Sequence, residues 1–146
     1  MRTINYIVVH CSATREGCTL TSEALEAEHR RRGFRTTGYH YYIRRDGTVL
    51  GTRSLELPGA HCRGHNKYSI GICYEGGLDA RGNPKDTRTP EQRSALHLLV
   101  YQLLQQFRNA RVCGHRDLSP DLDGDGTVEP WEWVKQCPCF EVSKEF

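Results

Sequence analysis

Three short segments of the sequence carry residues that could bind a metal ion or act as a nucleophile. Residues 9–12 (VHCS) and residues 113–117 (CGHRD) each end an apolar run, and residues 137–139 (CPC) lie near the C-terminus. Two imidazoles and one thiolate suit zinc, and three protein ligands leave a fourth position for water. A Cys–His nucleophilic pair is a second interpretation. Ordinary structural roles are the third, because most such histidines and buried cysteines are inert.

The seven cysteines narrow the chemistry further. The sequence contains no Cys-x-x-Cys pair, which argues against thioredoxin-like redox chemistry and against ribbon-type zinc sites. In a reducing compartment, cysteines serve as small buried residues, metal ligands or nucleophiles rather than as disulfides.

Length and composition limit the classes of protein to which the chain could belong. With 146 residues, of which 37% are apolar, the sequence predicts one folded domain over residues 1–146. The net charge of +2 gives no reason to expect a nucleic-acid partner. No apolar run approaches the ~20 residues that span a bilayer, and residues 4–10 are too short for a signal peptide. We therefore expect synthesis in the cytoplasm without a signal peptide, and no membrane insertion.

The elements that must position these residues alternate between strands and helices. Apolar runs predict strands, with a hairpin at Asp46-Gly47, and two helical patterns lie between them. The second helix has the clearest start, because Thr89, Pro90 and Gln92 form a capping-box pattern. This order predicts an α/β fold with a mixed sheet, with strands at 4–10, 39–44, 48–52, 69–75 and 110–114 and helices at 21–32 and 90–107.

Several ordered motifs together resemble one enzyme family. They are residues 8–14 (VVHCSAT), 38–48 (GYHYYIRRDGT), 59–61 (GAH), 69–72 (SIGI), 114–120 (GHRDLSP) and 137–140 (CPCF). Over roughly residues 4–142, the chain resembles the zinc-dependent N-acetylmuramoyl-L-alanine amidases of the phage-lysozyme type, which are related to the peptidoglycan recognition proteins. The resemblance implies a single domain with a mixed sheet of about five strands flanked by helices.

The resemblance also implies roles for individual residues. His10, His115 and Cys137 match the zinc ligands, and Tyr39 and Lys135 match the catalytic tyrosine and lysine. Zinc would polarise the amide carbonyl and lower the pKa of a bound water toward ~7. The lysine would stabilise the oxyanion, and the phenol would hydrogen-bond the water or the developing intermediate.

The remaining polar residues near these motifs receive weaker predictions. His61 matches a histidine on the substrate cleft, and Asn66, with Arg63 and Lys67, is a candidate for contact with a carboxylate of the peptide stem. His29 is assigned to a helix surface, as is His97, whereas His40 is either structural or a support for the site. Asp117 either orients His115 or caps the turn.

An acidic segment is inserted before the last motif. Residues 121–132 match the pattern Asp-x-Asp-x-Asp-Gly-x5-Glu of a calcium loop, whose ligands would be Asp121, Asp123, Asp125, Thr127 and Glu132. No amphipathic helix precedes the loop, so a full helix–loop–helix unit is not expected. The alternative is an acidic turn that holds two tryptophans near the site.

The sequence therefore predicts a zinc hydrolase that cleaves the amide bond between N-acetylmuramic acid and L-alanine in peptidoglycan. Its size suits a bacteriolytic endolysin of a phage or prophage, released to the cell wall through a holin or by lysis, and a role in cell-wall recycling is equally compatible. One alternative is a peptidoglycan recognition module without catalysis, although Cys137 and Lys135 favour the enzyme. The other, by family analogy alone, is a regulator that binds RNA polymerase.

Overall fold

The computed structural model describes residues 2–133 and 135–146. The elements follow the predicted order, with two additional strands of two residues each. They are β1 (Tyr6–Cys11), β2 (Thr14–Arg15), α1 (Ser22–Arg31), β3 (Tyr41–Ile43), β4 (Val49–Gly51), β5 (Ser69–Tyr74), β6 (Gly77–Leu78), α2 (Pro90–Gln106) and β7 (Arg111–Gly114).

A five-stranded mixed sheet forms the centre of the molecule, in the order β4-β3-β5-β1-β7. The strands β3, β5, β1 and β7 are parallel, and β4 pairs antiparallel with β3. The central strands β1 and β5 are buried along nearly their whole length, as expected when both faces of a parallel sheet are covered. The predicted mixed α/β fold of about five strands is confirmed.

The two faces of the sheet differ in what they pack against. Ile7 and Val9 of β1, with Ile70 and Ile72 of β5, join the buried leucines of α2 in the main core. On the opposite face, Leu25 of α1 forms a smaller cluster with Tyr42 and Cys73. Because side chains alternate along a strand, His10 points to this second face, beside the small residues of β5.

The start of α2 agrees with the predicted capping box. The Thr89 side chain accepts a hydrogen bond from the Gln92 N–H at 3.1 Å, and the Gln92 side chain accepts one from the Thr89 N–H at 3.0 Å. Gln92 is fully buried, and its amide also donates to the carbonyls of Ile43 and Glu75. The capping residue therefore also fixes the helix to the sheet.

One feature of the sheets differs from the sequence prediction. The pair β2–β6 was not predicted, because two-residue strands leave no detectable periodicity. The C-terminal part contains short 3-10 turns at His115–Leu118, Pro130–Glu132 and Val142–Lys144. The predicted hairpin is present between β3 and β4, with Gly47 at a φ of 89°.

In the described part of the chain, no helix has the length and apolar character needed to cross a membrane.

Candidate active site

Two of the candidate ligands lie at the same edge of the sheet. His10 is the penultimate residue of β1, and His115 directly follows β7, the parallel neighbour of β1. Parallel strands end at the same edge, so the two imidazoles are brought together with ring centroids 4.6 Å apart. The carboxyl edge of a parallel sheet is the usual place for a site in such folds.

Cys137 reaches this edge from the C-terminal segment. The N–H of Cys11 donates to the Cys137 sulfur at 3.1 Å, and the N–H of Arg116 donates to the Cys137 carbonyl at 2.9 Å. The Tyr74 hydroxyl donates to the Pro138 carbonyl at 2.6 Å. One ligand atom from each of His10, His115 and Cys137 lies within 4.8 Å of the others, so these three side chains are close enough together to share one metal ion.

The glycine before His115 allows this close approach. A Cβ on Gly114 would lie 2.7 Å from the Pro138 ring and 3.2 Å from Val142. Only glycine lets the Cys-Pro segment pack against the end of β7, and the segment then carries Cys137 toward the two histidines.

His10 lies in a strongly desolvated position. Its side chain is 1% exposed, and burial, followed by the nearby His61, His115 and Lys135, lowers the pKa of His10 well below its usual range. The imidazole is therefore neutral at pH 7 and keeps a lone pair for a metal ion.

Tyr39 lies next to His10, with the centroids of the two rings 5.0 Å apart. Burial, followed by the neighbouring Cys73, Cys137 and Cys11, raises the pKa of Tyr39 well above its usual range. Its hydroxyl therefore stays protonated at neutral pH and is able to donate a hydrogen bond.

His29 corrects the sequence assignment. It was placed on a helix surface, but its side chain is buried, its Nδ1 accepts the Gly38 N–H at 2.8 Å, and its ring lies 5.4 Å from that of Tyr39. The polar sequence of α1 gives no sign that His29 is buried. The burial comes from residues 33–40, which fold back over this part of the helix. His97, in contrast, is half-exposed on α2 and contacts Glu145 at 3.1 Å.

Two adjacent pockets lie at the candidate ligands and share His115 and Lys135 in their linings. A cavity of about 210 Å³ contains His10, Tyr39, His115 and Cys137. A groove of about 560 Å³ lies beside it, along residues 62–65, the turn at 115–120 and Lys135. Both spaces include His115 and the exposed Lys135, so an extended substrate could lie in the groove with one bond in the cavity.

The predicted substrate residues His61 and Asn66 are both held by hydrogen bonds to neighbouring residues. His61 bonds His10 and Ser69 through its ring. The Asn66 side-chain oxygen accepts the N–H groups of His61 and Cys62, both at 2.9 Å. Asn66 thus shapes the loop of the groove, and substrate contact by either residue stays a prediction.

His40 and Asp117 both form hydrogen bonds to the backbone around the site. His40 is fully buried, and its Nδ1 accepts the Gly71 N–H at 3.0 Å while its Nε2 contacts the Leu57 carbonyl at 2.8 Å. Asp117 accepts the Gly114 N–H at 2.7 Å, so it caps the turn that presents His115.

The acidic segment brings its carboxylates together. One oxygen from each of the side chains Asp121, Asp123, Asp125 and Glu132 lies within 4.8 Å of the others. Asp121 accepts the Gly126 N–H at 2.8 Å, and Gly126 has a φ of 87°. A short 3-10 turn at His115–Leu118 precedes the segment and another at Pro130–Glu132 forms its end, so no long helix leads into it, as predicted.

Thr127 and Glu132, the last two predicted calcium ligands, also form hydrogen bonds within the acidic segment. Thr127 donates its N–H to Asp125 at 2.9 Å. Glu132 is buried and accepts the N–H groups of Leu122, Asp123 and Glu129. Hydrogen bonds to Asp125 and then Glu132, followed by burial and the nearby charges of Asp123 and Asp125, raise the pKa of Glu129 to about 8.

The fold and the site together define a mixed α/β protein with a candidate metal centre of two histidines and one cysteine. The sequence profile of the N-acetylmuramoyl-L-alanine amidase family matches residues 1–138. The chain therefore belongs to that family, and the predicted resemblance is confirmed.

Relatives and solved structures agree with this assignment. The endolysin of Klebsiella phage KP32 is 36% identical over 138 residues, which are 94% of this chain and 82% of the relative. The endolysin of Escherichia phage T7 is 33% identical, with the same coverage of 94% and 82%. The structure of N-acetylmuramoyl-L-alanine amidase LysC from Clostridium intestinale is 26% identical and superposes with a TM-score of 0.75 over 99% of this chain and 82% of that one.

Proposed function

We propose that this chain hydrolyses the amide bond between N-acetylmuramic acid and L-alanine in peptidoglycan, as an endolysin-type enzyme with a zinc ion held by His10, His115 and Cys137. Family membership and the endolysin relatives support the activity. The observation that carries the metal assignment is the convergence of these three side chains, with ligand atoms within 4.8 Å of one another.

The donor set fits zinc on chemical grounds. Imidazole nitrogen and thiolate sulfur are the ligands that zinc prefers, and a catalytic site keeps one position open. The Cys11 N–H donates to the Cys137 sulfur at 3.1 Å, which helps to hold this sulfur beside the two histidines. When bound, zinc would polarise the carbonyl and supply an activated water.

The protein side chains supply the rest of the proposed chemistry. Lys135 borders both the cavity and the groove, so its ammonium would face the negative charge that develops on the carbonyl oxygen. The Tyr39 hydroxyl keeps its proton and would donate a hydrogen bond to the reacting oxygen. The groove along Arg63 and His65 would hold the peptide stem.

Digestion of purified sacculi tests this function. The zinc-loaded protein should release peptides with a free N-terminal L-alanine and leave intact glycan strands, and metal analysis should give one zinc per chain. The double variant His10→Ala/His115→Ala should lose both. Stoichiometric zinc in that variant would contradict the ligand assignment, whereas sacculus binding without release would favour a recognition module.

Three finer predictions remain at the level of the sequence. The proposal that the acidic segment binds calcium is supported by its clustered carboxylates and by its match to a calcium loop. A contact with RNA polymerase rests on family analogy, and a pull-down with purified polymerase tests it. One amidase domain over residues 1–146, with 121–132 as an insertion, is the domain organisation that we propose.

A further inference from the structure

The imidazole of His61 occupies a slot between two glycines. A Cβ on Gly71 would lie 2.7 Å from the His61 Cγ, and a Cβ on Gly59 would overlap its Cδ2. Gly71 is in the middle of β5, where glycine weakens a strand. The space that it leaves for the His61 ring explains why glycine stands there.

Both ring nitrogens of His61 are engaged within this slot. Its Nδ1 lies 2.8 Å from the His10 Nε2, and its Nε2 lies 3.1 Å from the Ser69 Oγ. Asn66 holds the backbone of the same residue through the His61 N–H at 2.9 Å. The ring therefore has a fixed place and a fixed partner at each end.

The contacts of His61 allow two tautomers of His10. A neutral imidazole has one N–H and one lone pair, and the contact between His10 and His61 needs one donor and one acceptor. In one arrangement Ser69 donates to the His61 Nε2, His61 donates its Nδ1–H to the His10 Nε2, and the His10 Nδ1 carries a proton. In the other arrangement, which a bound metal requires, His10 donates its Nε2–H to the His61 Nδ1 and His61 donates its Nε2–H to Ser69. The His10 Nδ1 then keeps its lone pair, and it is the nitrogen left for a metal.

We propose that His61 is a positioning residue for the metal centre, which acts by accepting the Nε2–H of His10 and so presenting the His10 Nδ1 to the metal. This inference rests on the zinc site proposed above. It differs from a role in substrate binding, because His61 would then change the affinity for zinc and not only the KM. Loss of such a hydrogen-bond partner of a metal ligand costs about 10–100-fold in metal affinity.

Two amide variants separate the two ring positions. In His61→Asn, the side-chain oxygen reaches the place of Nδ1 and can still accept from His10. In His61→Gln, the amide reaches toward Ser69 instead, so His10 loses its acceptor. Zinc affinity, measured by competition with a chelator, should stay close to wild type in the first variant and fall by ~10–100-fold in the second.

The tautomer itself has a spectroscopic readout. Nitrogen-15 NMR of the zinc-loaded protein should show the His10 Nε2 carrying a proton, and the cobalt-substituted His61→Gln variant should have an altered absorption spectrum. Equal zinc affinity in both variants, or metal bonded to the His10 Nε2, would overturn the proposal. A rise in KM with unchanged zinc affinity would return His61 to the substrate cleft.

The failure of this inference is distinguishable from failure of the proposed function. Wild-type protein that binds no zinc would remove the function. Wild-type protein that binds zinc and cleaves sacculi, with unaffected His61 variants, would remove only the role of His61. Melting of the zinc-free proteins checks that both variants are folded, and the wild-type NMR measurement decides the tautomer if one is not.

Discussion

At the residue scale, the two neighbouring thiols near the C-terminus have different environments. Cys137 shares its site with His10 and His115, whereas the Cys139 sulfur donates to the Gly77 carbonyl at 3.4 Å. A residue two positions from a ligand can therefore be a matched control for it.

We expect Cys137→Ser to lose zinc and activity, because a hydroxyl is a poor ligand compared with a thiolate. Cys139→Ser should keep most of both, since a hydroxyl can also donate to the Gly77 carbonyl. Zinc content and release of peptide from sacculi measure the difference. Loss of zinc in the Cys139 variant alone would place the third ligand two residues later.

The lysine of the site is expected to act on the rate and not on the metal. Lys135→Ala should retain zinc and lower kcat by ~10²–10³, the usual cost of losing one group that stabilises an oxyanion. Lys135→Arg keeps the charge and should recover part of the rate. Lys144→Ala, at another site on the C-terminal segment, is the control, and an unchanged rate in Lys135→Ala would make this residue an ordinary surface lysine.

At the element scale, the local signals in the sequence determined most of the fold. The capping box and apolar stripe of α2 and the apolar runs of β1 and β5 predicted those elements, since their patterns are strong and local. The two-residue strands β2 and β6 have no such pattern.

The site was harder to predict from the sequence than the fold was. Residue chemistry alone left zinc and a Cys–His nucleophile both open, because the contact between Cys11 and Cys137 spans 126 positions. Only the family resemblance grouped His10, His115 and Cys137 as the ligands of one zinc ion. The buried place of His29 and the contact between His10 and His61 are tertiary features without a local signal.

The acidic segment is the element whose stability should depend on a cation. If it binds calcium, millimolar calcium well above the dissociation constant should stabilise the zinc-loaded protein by ~2–4 kcal/mol, because the cation relieves repulsion among the clustered carboxylates. Thermal melting with and without calcium measures this, with Asp123→Ala/Asp125→Ala as the control. Identical wild-type melting curves, with no calcium detected by calorimetry, would leave an acidic turn.

At the scale of the whole molecule, one buried arginine connects the C-terminus to the start of α2. The Arg88 side chain is 1% exposed, contacts Asp86 at 2.9 Å and Glu145 at 2.6 Å, and lies 3.4 Å from the centre of the Phe140 ring. The segment that carries Cys137 ends in this contact. The clamp of Arg88, Asp86 and Glu145 therefore stabilises the same segment that completes the candidate metal site.

Removing one charge from this clamp should make the stability less dependent on pH. The hydrogen bond from Arg88 is the main cause that lowers the pKa of Glu145 below its ordinary value of 4.5. A carboxylate with a lowered folded-state pKa contributes stability above its unfolded pKa, and this contribution is lost as the pH falls through the folded value. Glu145→Gln should thus cost about 1–3 kcal/mol at pH 7, since it leaves a buried arginine short of one charged partner, and the cost should shrink below pH 4.5. Urea unfolding of wild type and variant across this range measures it, with the exposed Glu56→Gln as a matched control. A difference between wild type and Glu145→Gln that stays constant from pH 7 down to pH 3 would mean that the side chain contributes by packing and not by its charge.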